Sequence, residues 1–232
     1  MGTMQLKDIL AELRSMGDPE AAAGMARYGI KADRALGVSI PGLQSLAKKI
    51  GENRKLAQDL WSSAIHEARI LACMIDDPQQ ITADRLERLV NEFDSWDLCD
   101  QCCNRLFSKT PFARQKALAW ANCPEEFVKR AGFVMMAVLA VHDKKAADKQ
   151  FDAFFEQIKK GAIDGRNFVK KAVNWALRQI GKRNMSLNRK AIAVAEEIQQ
   201  LESKAARWIA NDALRELRSE KIQKRLSGRT IP

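Results

Sequence analysis

"FVKRAGFVMMAVLA", from Phe127 to Ala140, returns as "FVKKAVNWALRQIG", from Phe168 to Gly181, a shift of 41 residues. Apolar residues recur in both copies at three- and four-residue steps, the spacing of a helix face. In the first copy nothing charged follows Arg130 before His142, so that helix is apolar nearly all round and is expected to be buried. An arginine at its start then calls for an anionic partner, either an internal one such as Asp100 or a bound phosphate. A weaker third echo is "HEARILACMI" from His66, with Arg69 in the place of Arg130.

A helical unit recurring about every 40 residues has the period of HEAT and armadillo arrays, in which stacked helix pairs turn their inner helices toward one concave surface. The rest of the chain agrees, because helical periodicity runs almost throughout and no segment alternates apolar and polar residues between hairpin turns. Prolines 19, 41, 78, 111 and 124 fall at expected starts or breaks, and Gly161, Gly165 and Gly181 separate the later segments. The expected helices are 5–16, 19–28, 41–50, 54–63, 66–76, 82–93, 95–108, 111–121, 125–141, 144–160, 165–180, 186–200 and 203–224. Short links between them favour antiparallel pairs. The expected architecture is all-α, a HEAT-like helical repeat solenoid of antiparallel helix pairs with a concave basic groove, forming a single domain over residues 1–232.

With 46% apolar residues the chain can bury a sizeable core. It contains no uninterrupted apolar run long enough for a membrane helix and does not start with a basic-then-apolar leader. A cytoplasmic location is expected. Five cysteines, an odd number spread over a long chain, suit reduced thiols better than a disulfide framework.

The net charge is +10, from 39 basic and 29 acidic residues, and it is unevenly placed. Residues 1–165 hold 23 of each sign, while residues 166–232 hold 16 basic and 6 acidic. Such an asymmetry points to a polyanionic partner, nucleic acid first and an acidic membrane surface second, against the plainer reading of a solvated basic face. Lys171, Trp175, Arg178 and Lys182 stand at i, i+4, i+7 and i+11 and share one helical face. Cations at that spacing suit a phosphate backbone, and a tryptophan among them can press its ring on a sugar or base.

"SWDLCDQCC", from Ser95 to Cys103, raises the question of a metal or redox centre. Zinc would need a second pair of ligands, and Cys73, Cys123, His66 and His142 are isolated in sequence. A redox CxxC usually opens a helix after a strand, and no strand is expected here. On a helix from Ser95, Cys99, Cys102 and Leu106 form one arc, which reads as a packing seam, and Trp96, Asp100 and Phe107 form the neighbouring arc. Asp94 is placed to cap the first turn, and Asp97 to favour its positive end. No metal or cofactor is expected. An acid on a DNA-facing surface repels phosphate, so Asp100 lies off that surface or serves chemistry. A fixed carboxylate can stabilise an oxocarbenium-like sugar while a glycosidic bond breaks.

"MARYGIK" at Met25, "SWDLCDQ" at Ser95, "VKRA" at Val128 and "FVKKAVNWALRQ" at Phe168 together resemble the motifs of the AlkD-like DNA alkylation repair proteins, a HEAT-repeat group of DNA glycosylases. The resemblance runs from about Glu20 to Lys182. It implies excision of 3-methyladenine and 7-methylguanine from double-stranded DNA by a monomer, with Asp100 as the catalytic carboxylate. Trp96 and Trp175 would hold the deoxyribose and its flanking backbone, Arg130 and Arg178 would take phosphates, and Tyr28 fills the family's N-terminal aromatic position. Lys171 and Lys182 extend the DNA-binding set. Some relatives carry two tryptophans in succession where this chain has Ser95-Trp96, and some members bind branched or damaged DNA without excision. The alternatives are therefore a non-catalytic DNA-binding scaffold and a protein-interaction solenoid.

Overall fold

The computed structural model describes residues 4–30 and 32–228. Among them are fourteen α-helices and no strand: α1 (Leu6–Ser15), α2 (Pro19–Met25), α3 (Ile40–Ile50), α4 (Arg54–Ser62), α5 (His66–Ile75), α6 (Ala83–Asn91), α7 (Trp96–Arg105), α8 (Ala113–Trp120), α9 (Glu126–His142), α10 (Asp152–Gly161), α11 (Asn167–Gly181), α12 (Met185–Gln199), α13 (Lys204–Leu217) and α14 (Glu220–Ser227). Packing groups them into two compact units that divide between Pro111 and Phe112.

In the first unit α4 packs on α5 after a short link, and α5 packs on α7. His66 of α5 meets Asp97 of α7, and Cys73 meets Cys102, so the two helices run in the same direction. Two second helices of successive pairs, side by side and parallel, are the signature of a repeat array. The loop before α3 is held by Glu67, a buried α5 carboxylate that accepts the backbone N–H groups of Leu36 (2.8 Å) and Gly37 (2.7 Å). Gly37 has φ +80, and a Cβ there would lie 2.1 Å from the carbonyl oxygen of Asp18. Only glycine fits that backbone.

The second unit repeats the plan more regularly. α8 packs on α9, α10 on α11 and α12 on α13, and α11 lies between α9 and α13. The recurring motif is visible in space, because Phe127 and Phe168, the first residues of its two copies, meet with ring centroids 5.6 Å apart and planes tilted by 34°. Gly132 lets α8 and α9 close on each other; a Cβ there would sit 2.4 Å from the backbone nitrogen of Ala121. As expected of an apolar helix, α9 is buried from Ala131 to Ala140.

Four details differ from the sequence reading. The helix expected over 203–224 is two helices, because Ser219 leaves helical geometry and its hydroxyl caps Ile222 N. The helix expected from Lys144 starts later, with a 3-10 turn at Asp148–Phe151 leading into α10. Arg183 takes the carbonyl of Ala140 in the last turn of α9 and that of Ala146 in the gap. α7 stops at Arg105, so Phe107 does not share the arc of Trp96 and Asp100; it lies in the core and stacks on Phe93 at 5.7 Å. Lastly, Cys73 and Cys102 form a disulfide, with Cα atoms 5.3 Å apart, in place of two reduced thiols. Their contact follows from the parallel packing of α5 and α7, which spacing along the chain does not reveal. Cys99, Cys102 and Cys103 are fully buried, as a packing seam requires.

Candidate nucleic-acid interface

The first unit presents α7. Trp96 is its first residue and Asp100 follows one turn later, and both are partly exposed. The indole Nε1 of Trp96 donates to the carbonyl oxygen of Tyr28 at 2.9 Å, which fixes the ring against the 3-10 turn Ala26–Tyr28. That turn ends at Gly29, and the Tyr28 side chain is 68% exposed. Two aromatic residues named from widely separated motifs are thus brought together, one anchored and one open to solvent.

The N-terminus of α7 is fastened by His66, a residue isolated in sequence from the motif that carries Trp96. The ring of His66, buried at the start of α5, lies 2.7 Å from Asp97 Oδ2. Burial alone would lower the His66 pKa, but the hydrogen bond and charge of Asp97 outweigh it and raise the value above the ordinary 6.5. Burial would raise that of Asp97, and the His66 contact outweighs this too, leaving the carboxyl below its ordinary 3.8. Ser95, the N-cap, makes no side-chain capping bond, and Asp97 ties the first turn to α5. With the disulfide seven residues along α5, this pair fixes the orientation of Trp96 and Asp100.

In the second unit the basic face of α11 meets α13 as a ladder. From the N-terminal end, Lys170 Nζ lies 4.7 Å from the ring centroid of Trp208, and Asn174 Nδ2 donates to Asp212 Oδ2 at 2.7 Å. Arg178 Nη1 reaches Asp212 Oδ2 (3.2 Å) and Glu216 Oε2 (3.0 Å), and Lys182 Nζ reaches Glu216 Oε1 (2.8 Å). The side chains of Arg178 and Lys182 are 29% and 15% exposed. The stripe read from spacing is therefore neutralised over its C-terminal half by α13, while Lys171 is exposed and Trp175 partly so.

Arg130 is 5% exposed, and its Nη1 donates to the Phe168 carbonyl at 2.6 Å, tying α9 to the first turn of α11. A second clasp holds the same ends. Asp164 accepts from Arg166 Nε (3.0 Å) and Nη2 (2.6 Å) and lies 3.3 Å from Lys129 Nζ, and Arg166 Nη1 donates to the Pro124 carbonyl at 2.6 Å. The forked contact with Arg166 brings the Asp164 pKa down to about 2.

Trp208 is the surface residue that sequence reasoning missed. It is 40% exposed and lies beyond the motifs that carry the resemblance, which end near Lys182. Among the described residues no group of three or more His, Cys, Asp or Glu side chains is placed to hold a metal ion. No helix of the described residues is long and apolar enough to cross a membrane.

Parallel second helices, stacked pairs and a basic, tryptophan-bearing helix face define a HEAT-like helical repeat protein. A family model described as "DNA alkylation repair enzyme" matches residues 9–217, and the chain belongs to that family. Among solved structures it is similar to a member of "a new family of proteins related to the HEAT-like repeat DNA glycosylases with affinity for branched DNA structures". The two share 22% identity and a TM-score of 0.78, over 92% of this chain and 95% of that one. A designed armadillo repeat protein in complex with a (KR)4 peptide aligns over 91% of this chain and 93% of its own at 17% identity, with a TM-score of 0.42. No curated protein matches in sequence.

Proposed function

We propose that this protein is a DNA glycosylase that removes N-alkylated purines, 3-methyladenine and 7-methylguanine among them, from double-stranded DNA. The observation that carries the reading is α7: a carboxylate, Asp100, one turn after a tryptophan whose ring is held by Tyr28, on a helix fixed to its neighbour at His66–Asp97 and Cys73–Cys102. Family membership supports it.

An alkylated purine already carries positive charge, so the bond from C1′ to the base breaks heterolytically with its electron pair returning to the ring nitrogen. The base leaves neutral and the sugar becomes an oxocarbenium-like cation. Asp100 is the residue to stabilise that cation, and water completes the reaction by attack at C1′ with loss of a proton. Trp96 supplies a ring face to the deoxyribose, and Tyr28 a second aromatic surface beside it.

In the second unit Lys171 and Trp175 contact the DNA backbone. Arg178 and Lys182 lend positive potential but spend much of it on Asp212 and Glu216. Arg130 contributes chiefly by setting α11 against α9.

A second reading is favoured by the related solved structure, whose protein has affinity for branched DNA. On it, the chain binds distorted or branched DNA and excises nothing. Incubation with methylated duplex DNA separates the two: the glycosylase reading predicts free methylated purine in solution, and the scaffold reading predicts salt-sensitive binding with none released.

A further inference from the structure

The ladder between α11 and α13 is asymmetric. At its C-terminal end each cation is satisfied inside the protein: Arg178 and Lys182 by Asp212 and Glu216, Arg183 by the carbonyls of Ala140 and Ala146, and Arg225 by that of Lys182. At its N-terminal end Lys170 lies against an exposed tryptophan instead of a carboxylate. Lys171, Lys204 and Arg207 are exposed there as well. Lys204 precedes Trp208 by one turn and shares its face. Both helices also begin at this end, and their dipoles add positive potential to the lysines. The carboxylates nearest in sequence are Asp164, held by Arg166 and Lys129, Asp212, one turn after Trp208 and held by Asn174, Arg178 and Arg215, and the exposed Glu202 just before α13.

A single exposed indole needs no partner on its own account, but Trp208, 40% exposed among cations, has a setting that selects one. Four cations and two helix N-termini call for a polyanion. A flat aromatic face calls for a flat apolar one, and an ammonium already seated on the ring holds the indole in place. A nucleobase stacked on the accessible part of the ring, with its flanking phosphates on the lysines, meets both demands. In a paired duplex the base faces are hidden by stacking, so the base must be unpaired.

Resting on the reading that this protein binds DNA, we propose that Trp208 and Lys170 form a stacking platform for an unpaired DNA base, with Lys171 and Lys204 taking the adjoining phosphates. Trp208 then gives the protein a preference for DNA that carries a gap, flap or frayed end over uninterrupted duplex.

The test measures binding by fluorescence anisotropy at one fixed salt concentration, with a fully paired duplex, the same duplex carrying a single-stranded gap, and a single-stranded oligonucleotide. Trp208→Ala is expected to lose about tenfold in affinity for the gapped and single-stranded probes and to leave duplex binding unchanged, while Trp208→Phe retains most of the affinity. Thermal melting of each variant checks that the exposed position has not disturbed folding. An equal loss on all three probes, no loss on any, or a Trp208→Ala defect seen only in self-association would overturn the proposal. Failure of the wild type to bind any of the probes would instead sink the underlying DNA-binding reading, and this platform with it.

Discussion

The buried ring of His66 in α5 lies 2.7 Å from Asp97 Oδ2 in the first turn of α7, one residue after Trp96, and the two are an ion pair when the ring is protonated. The His66 pKa is raised above 6.5, so its contribution is complete below 6.5 and is lost as pH rises through the higher folded value. That of Asp97 is depressed below 3.8, so its contribution is complete above 3.8 and is lost as pH falls through the lower folded value. The pair therefore stabilises α7 most between those two ordinary values. Asp97→Asn should lower the melting temperature most within that window, with the gap from wild type shrinking above it. A gap that stays constant from mildly acidic to alkaline pH would show that the pair is not ionic.

The Cys73–Cys102 disulfide closes 29 residues of chain, and bridges of that span stabilise by about 3–4 kcal/mol on chain-entropy grounds. Alkylation of protein denatured without reductant should label Cys99, Cys103 and Cys123, and labelling should extend to all five cysteines after reduction. Mass spectrometry reads the difference directly. Five labels before reduction would mean that the two sulfurs are neighbours without a bond.

Asp164 joins the loop before α11 directly to Lys129 of α9 and also holds Arg166 in a forked contact. Hydrogen bonds to charged groups contribute about 1.5–3 kcal/mol when intact, and Asp164→Ala should cost the protein an amount of that order in a denaturant titration. Because the Asp164 pKa falls to about 2, this contribution is present above 3.8 and disappears only as pH falls toward that value. A variant as stable as wild type at neutral pH would show the clasp to be idle.

The ladder predicts an inequality among cations that look equivalent in sequence. Lys171→Ala should weaken DNA binding and reduce the salt dependence by about one counterion's worth, whereas Lys182→Ala, already committed to Glu216, should change the slope by much less and instead lower stability. Binding isotherms across a salt series decide it. Equal slopes for the two variants would contradict the neutralisation seen on α13.

The repeat pair was legible because its two copies keep the same apolar spacing, and the contact of Phe127 with Phe168 is the same register expressed in space. Trp96 and Asp100 were legible for a similar reason, since one turn of helix fixes their shared side. What stayed hidden depends on the neighbouring helix. Spacing put Arg178 and Lys182 on one face of α11, but only packing shows that Asp212 and Glu216 lie opposite. The same holds for Cys73 against Cys102 and for His66 against Asp97, each about 30 residues apart in sequence. Trp208 escaped because a lone tryptophan in an amphipathic helix reads as core.

Single-turnover base release from N-methylated duplex DNA, comparing wild type with Asp100→Asn, tests the central claim most directly. The amide keeps the shape of the carboxylate and removes its charge, so excision should fall by about 100-fold or more while DNA affinity is kept or slightly raised. Base release at the same rate by both proteins, or no release above background by the wild type, would contradict the assignment of Asp100 as the group that meets the sugar cation.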